Sequence, residues 1–161
     1  RVRLIHEKMP DLRVIYILRN PIDRAWSGLR KSVWYQKGAN QLTMQRTEWL
    51  EKTIMHPQVL ERGNYRHAIE TWESVYPRDQ MLILFYDDIV QEPTVELDKV
   101  YAFLGLERPA KAGRPATEGR VNAAPELSMP TALRAKLEAH YREDIRFLER
   151  RFGRDLRHWV S

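Results

Sequence analysis

A short run near the start of the chain combines the residue types that bind phosphate. Arg19 directly precedes the pair Asn20–Pro21, and Ser27 follows seven residues after Asn20. A guanidinium makes forked, charge-assisted hydrogen bonds to phosphate, and the unpaired backbone amides at a helix start also favour an anion. Seven residues are nearly two helical turns, so Ser27 returns to the face that carries Asn20. We expect Arg19 and Ser27 to bind one phosphate, with Arg24, on the same polar stripe, as a candidate third contact.

The residues around this run predict the strand and the helix that position it. Residues 12–18 are nearly all apolar and partly β-branched, which is typical of a strand buried on both faces in a parallel sheet. Asn is a favoured helix N-cap and Pro a favoured first helical residue, so a helix should begin at Asn20–Pro21. Because open α/β sheets bind ligands beyond the carboxyl ends of their strands, we expect a ligand at this junction.

The rest of the chain alternates helix and strand patterns. Periodicity predicts helices within 42–55, 63–76, 93–104 and 130–152 and a second buried strand over 81–86. Two apolar strands separated by helices, with further helices after the second strand, are the order of an α/β domain with a parallel sheet. Two strands do not make a stable sheet alone, so we expect the complete domain to supply more, some of them before residue 1.

Composition narrows the classes of protein and partner. A length of 161 residues suits one domain over 1–161, and a net charge of +5 favours anionic partners. The chain has no Cys, and its five His residues lack metal-ligand spacing, so we expect no metal cofactor. The sequence has no basic stripe interleaved with aromatic residues, so we do not expect it to bind nucleic acid. No apolar run approaches membrane-spanning length.

Three further features have two interpretations each. The segment 107–128 is basic and rich in Pro and Gly, so it is either a binding loop that covers phosphates, through Arg114 and Arg120, or a solvated loop. Tyr65 either lines a ligand pocket or belongs to the core. The pair Asp87–Asp88 follows the second strand and is interpreted as a helix N-cap rather than as a metal-binding pair.

The run Val14–Ser27, which reads VIYILRNPIDRAWS, resembles the 3′-phosphate-binding motif of sulfotransferases that use 3′-phosphoadenosine 5′-phosphosulfate. In that family the Arg before Asn-Pro and the later Ser hold the 3′-phosphate, which here are Arg19 and Ser27. The order and spacing of further segments are similar to those of Golgi-type carbohydrate sulfotransferases and their bacterial relatives. These segments are 62–67, Trp72, 80–84, 103–106 and 152–159.

The resemblance implies a partial P-loop-type three-layer α/β domain with a parallel sheet. It implies transfer of a sulfuryl group from that nucleotide to an acceptor hydroxyl or amine, with a saccharide or another small hydroxyl compound as acceptor and no metal. In related enzymes a basic loop closes over the nucleotide, and here 107–128 would do so. Tyr65 would shape the nucleotide or acceptor wall.

One family motif has no counterpart in the chain. The seven Gly residues are isolated, and no Lys-containing, Gly-rich loop for the 5′-phosphosulfate occurs. We therefore expect the first strand–loop–helix unit, with the general base, to precede residue 1, and this chain to carry the 3′-phosphate half of the donor site and to be inactive alone. The alternative is a catalytically inactive nucleotide- or glycan-binding module of the same fold.

Overall fold

The computed structural model of the protein describes residues 1–37, 47–109 and 127–160. Short 3₁₀ turns lie at Glu61–Gly63, Arg78–Gln80 and Arg157–Trp159. The longer elements, in chain order, are α1 (Val2–Lys8), β1 (Val14–Leu18), α2 (Pro21–Lys37), α3 (Thr47–Ile54), α4 (Pro57–Leu60), α5 (Tyr65–Glu73), β2 (Met81–Phe85), α6 (Tyr86–Gln91), α7 (Pro93–Leu104) and α8 (Thr131–Phe152).

The described residues form two compact units. The first unit comprises residues 1–19 and 67–109, and the second unit comprises 20–37, 47–66 and 127–160. The helix α5 runs through the boundary between residues 66 and 67. The prediction of a single domain over 1–161 stays a prediction.

The first unit is built on a parallel strand pair. In register, Val14 of β1 lies opposite Met81 of β2, and Leu18 lies opposite Phe85. The side chain of Arg13 donates to the carbonyl oxygen of Phe103 at the end of α7. The parallel pairing of the two apolar segments confirms the α/β class predicted from their order along the chain.

The burial of β1 corrects one sequence prediction. Leu18 is buried, but Ile15 and Ile17 are 37% and 49% exposed. A strand buried on both faces is therefore the wrong description of β1 in the described part of the chain. The physical reason is that apolar composition favours a strand without stating which of its faces another element covers.

The second unit packs around α2 and α8. The sequence period of α2 places four apolar residues on one face, and all four are buried: Ile22, Trp26, Leu29 and Val33. The period of α8 likewise predicts one apolar face. Its buried members are Leu133, Leu137, Tyr141, Ile145 and Leu148, and its last member, Phe152, is half-buried. Trp159, which follows α8, is only 1% exposed and so anchors the end of the chain in this core.

The helices α7 and α8 both end at a glycine. Gly105 ends α7 with φ 68°, and Gly153 ends α8 with φ 61°. Both lie in the left-handed region, which glycine adopts without the steric cost that a side chain adds. The two helices therefore end at residues 104 and 152, as predicted from the sequence.

The interpretation of Asp87–Asp88 as an N-cap is wrong in detail. The N-cap of α6 is Phe85, and both acids lie in the first turn of the helix. A carboxylate in the first turn still interacts favourably with the positive end of the helix dipole. The helix starts earlier because the chain enters it directly from β2, with no connecting residue.

Candidate functional site

The start of α2 is organised by the side chain of Asn20. Its Oδ1 accepts a hydrogen bond from the backbone N–H of Ile22 at 3.0 Å, and its Nδ2 donates to the carbonyl oxygen of Trp159 at 3.1 Å. Asn20 is only 6% exposed, so both bonds form away from water. The predicted cap is therefore confirmed, and the same side chain ties the first turn of α2 to the end of the chain.

Arg19 lies in the first unit beside a residue that sequence reasoning did not single out. Its guanidinium carbon is 4.8 Å from the centre of the Tyr86 ring, a cation–π geometry. The pairing register explains the contact. Leu18 and Phe85 are opposite each other at the ends of the two strands, so Arg19 and Tyr86, which follow them, lie at the same edge of the sheet. The sequence could have predicted that Arg19 and Tyr86 lie close together, since the carboxyl ends of parallel strands meet at one edge of a sheet.

Helix α2 carries the other two predicted phosphate contacts, Ser27 and Arg24, both half-buried in the second unit. The alternative to a ligand contact is that Arg24 pairs with Asp23 or with another surface acid. In the structure Asp23 accepts from Arg134 of α8 at 3.1 Å. The role of Arg24 as a third phosphate contact stays a prediction.

A concave site within the second unit brings Arg24 together with a residue that carried no sequence prediction. The cavity has a volume of about 210 Å³ and is bounded by α2, α3, α4 and the turn that follows α4. Its lining residues are Arg24, Ala25, Gly28, Leu29, Ser32, Thr53, Ile54, Val59 and Arg62. Two guanidiniums, two hydroxyls and an apolar remainder therefore line the cavity.

Tyr65 lies in the core of the second unit, where it is 2% exposed. Close by, Tyr141 donates its hydroxyl to the carbonyl oxygen of Leu60 at 3.0 Å. Burial raises the pKa of Tyr141 to about 12, although the charge of Arg24 acts in the opposite direction. The burial favours the packing interpretation of Tyr65, and its place on a ligand wall stays a prediction.

The remaining predicted site residues, Arg114 and Arg120, lie outside the described residues, as does most of the segment 107–128. Within the described ranges, no group of three or more His, Asp or Glu side chains has an arrangement that could hold a metal ion. Among these residues, no helix has both the length and the hydropathy needed to cross a bilayer.

Comparison with solved structures supports the fold. A sulfotransferase from Alicyclobacillus acidocaldarius superposes with a TM-score of 0.69 at 22% identity, over 99% of this chain and 62% of that chain. At this identity the likeness concerns the fold, which is the α/β class expected from the sequence.

Comparison with known sequences gives the family. The chain is 25% identical to heparan sulfate glucosamine 3-O-sulfotransferase 6 of Mus musculus and of Homo sapiens, over 95% of this chain and 51% of each relative. The chain thus spans about half the length of the curated relatives it matches. The family model described as "Sulfotransferase domain" matches residues 2–123, which is most of the chain, and the protein therefore belongs to the sulfotransferase family.

Proposed function

We propose that this protein takes part in sulfuryl transfer from 3′-phosphoadenosine 5′-phosphosulfate and that it carries the residues for the 3′-phosphate of that nucleotide. The observation that carries the proposal is the helix start capped by Asn20, with Ser27 on the same helix. Along the chain, Arg19 lies between the end of β1 at Leu18 and this cap. Membership of the sulfotransferase family supports the same reaction class.

Arg19 is the proposed charged contact. Its guanidinium can make two parallel hydrogen bonds to phosphate oxygens, and stacking on Tyr86 limits the rotamers from which it does so. A side chain held in its binding geometry loses less conformational entropy when the ligand arrives. Arg19 would therefore contribute mainly to donor affinity.

The start of α2 is the proposed neutral contact. Asn20 fixes the first turn, whose backbone amides favour an anion, and Ser27 offers a hydroxyl within the second turn. Because Asn20 is itself bonded to the carbonyl oxygen of Trp159, the helix start is held by the core of the second unit. These groups would fix the end of the nucleotide remote from the sulfate.

In the proposed reaction, the bond between the donor sulfur and the bridging phosphate oxygen breaks while the acceptor oxygen or nitrogen forms a bond to sulfur. The acceptor loses its proton, and adenosine 3′,5′-bisphosphate leaves with the bridging oxygen. By analogy with phosphoryl transfer, catalysis consists largely of alignment and charge stabilisation. Holding the 3′-phosphate contributes to the alignment.

We propose a saccharide as the acceptor class. The support is the resemblance to carbohydrate sulfotransferases and the two relatives whose names specify a glucosamine of heparan sulfate. An acceptor with its own negative charges also fits a chain of net charge +5.

A transfer assay tests the proposal against its alternative, a binding module without catalysis. The full-length protein that contains this sequence is incubated with sulfur-labelled donor and a panel of saccharides, and labelled product is measured together with binding of adenosine 3′,5′-bisphosphate. Labelled saccharide supports the transferase, whereas nucleotide binding without any product supports the binding module. Absence of nucleotide binding contradicts both.

A further inference from the structure

We infer that the cavity lined by Arg24 and Arg62 binds a carboxylate or sulfate group carried by the acceptor, and that it is distinct from the contacts to the 3′-phosphate. This inference rests on the proposed function, since it assigns the acceptor of that reaction. It gives Arg24 a different role from the one that the phosphate motif suggested.

The charged residues that line the cavity are all cationic. Of the nine residues that line the cavity, two are arginines and none is Asp or Glu. The nearest acid along the helix, Asp23, accepts its hydrogen bond from Arg134. A cavity with two cationic walls and no anionic one favours an anion, and guanidiniums match the planar or tetrahedral oxygens of carboxylates and sulfates.

Part of the cavity lining is apolar. The half-buried Val59 and the buried Ala25, Leu29 and Ile54 are its apolar members. Such a surface suits the C–H faces of a small ring rather than a freely hydrated ion. The ligand that fits is therefore an anionic substituent together with the carbon framework that bears it.

The volume of the cavity limits the size of the ligand. The volume of about 210 Å³ lies below the range of about 300–1,000 Å³ typical of pockets that enclose a whole drug-sized ligand. The cavity is thus suited to one charged substituent and part of one sugar ring, and too small for an adenosine bisphosphate. Its wall is open at Gly28, because a Cβ placed there meets no atom within 4 Å.

The cavity lies along one side of α2. Arg24, Gly28 and Ser32 line it and recur every four residues, which is the spacing of one helix face. Ser27, the proposed contact to the 3′-phosphate, is not among the lining residues. Ser27 neighbours Arg24 on the helix surface, since the two are three residues apart, but the cavity extends from Arg24 towards Gly28 and Ser32. The same helix would therefore contact the donor through Ser27 and the acceptor through Arg24.

Binding titrations of single variants test this inference. The probes are an N-sulfated, uronic acid-containing tetrasaccharide, its neutral counterpart with reduced carboxyl groups and N-acetyl groups, and adenosine 3′,5′-bisphosphate. We expect R62Q and R24Q each to weaken binding of the acidic tetrasaccharide about tenfold, because each removes a charge-assisted contact, and we expect R62Q to leave bisphosphate affinity unchanged. The control R142Q removes an exposed charge of α8 and should bind all probes as the wild type does.

A steric variant makes the test independent of charge. In G28L the new side chain projects into the open space at this position, so it should block the acidic tetrasaccharide while the melting temperature stays close to that of the wild type. Equal wild-type affinity for the acidic and neutral tetrasaccharides would overturn the inference. So would unchanged acidic tetrasaccharide binding in R62Q, or a loss of bisphosphate affinity as large as the loss of saccharide affinity. Failure of the wild type to bind bisphosphate would instead contradict the proposed function.

Discussion

At the scale of single residues, Asn20 connects helix initiation to the core of the second unit. Its oxygen caps α2 and its amide nitrogen satisfies the carbonyl of Trp159, with little exposure to solvent. Sequence alone predicted the cap, because Asn before Pro is a local signal. The bond to Trp159 joins residues 139 positions apart, and no local pattern indicates it.

Substitution of Asn20 separates its two contributions. We expect N20A to lower the free energy of unfolding by about 2 kcal/mol, since a lost cap costs about 1 kcal/mol and a lost bond to a buried carbonyl a similar amount. N20S keeps a capping oxygen but is too short to reach Trp159, so it should lose about half as much. Urea unfolding measures both, and equal losses in the two variants would contradict the division.

Tyr86 is expected to affect nucleotide affinity through Arg19. We expect Y86L to weaken binding of adenosine 3′,5′-bisphosphate about two- to fivefold, since an exposed cation–π contact contributes about 0.5–1 kcal/mol. Y86F keeps the ring and should bind as the wild type does. V90A alters another exposed residue of α6 and is the matched control in the titration. If Y86F lost as much affinity as Y86L, the hydroxyl rather than the stacking would be responsible.

At the scale of elements, the turn after α4 lies close to α8 at Gly63. A Cβ at this position would lie 2.7 Å from the ring and hydroxyl of Tyr141, which is fully buried and bonded to Leu60. The glycine is therefore required by a close approach between elements, since its φ is not in the left-handed region. The sequence pattern placed Gly63 at the start of a helix and did not indicate its contact with Tyr141.

A pair of glycine substitutions tests this packing. We expect G63A to lower the free energy of unfolding by about 1–3 kcal/mol, as overpacking a core typically does. G28A is the matched control, because its Cβ meets no atom and alanine favours a helix interior, so it should raise stability by roughly 0.5–1 kcal/mol. Thermal unfolding of both variants measures the contrast, and a destabilised G28A or an unaffected G63A would be evidence against it.

The raised pKa of Tyr141 predicts a loss of stability in alkali. Tyr141 keeps its proton in the folded protein up to about pH 12, whereas an unfolded tyrosine releases it near pH 10. The stabilisation that this tyrosine contributes to the folded state is therefore fully present below pH 10. It is lost as the pH rises towards 12, by at most about 1.4 kcal/mol per pH unit. We expect the free energy of unfolding of Y141F to fall less steeply than that of the wild type over this interval. Parallel pH curves for the two proteins would contradict the assignment.

At the scale of the whole molecule, the sequence pattern predicted which segments form helices and strands better than it predicted which elements pack against one another. The parallel pair and the buried stripes of α2 and α8 follow from local periodicity, so they could be anticipated. The exposure of Ile15 and Ile17 and the cavity at Arg24 and Arg62 depend on which elements pack together. No window of sequence contains that information.

The residues of the candidate site also fall into two groups, those that a sequence motif predicts and those that only packing reveals. Arg19 and Ser27 were predicted together because they belong to one short motif, whereas Tyr86 and Arg62 lie far from it in the sequence. Tyr86 reaches Arg19 through the strand register, and Arg62 reaches the cavity through the turn after α4. The motif predicts a ligand, and the packing adds the residues that could orient it.

The central claim is that Arg19 recognises a 3′-phosphate, and a titration of two nucleotides tests it most directly. Adenosine 3′,5′-bisphosphate and adenosine 5′-monophosphate differ by that group alone. We expect the wild type to prefer the bisphosphate by about tenfold or more, because hydrogen bonds to charged groups contribute about 1.5–3 kcal/mol. R19A should bind both nucleotides with similar affinity, S27A should retain part of the preference, and R142Q should retain all of it. An undiminished preference for the bisphosphate in R19A would contradict the claim.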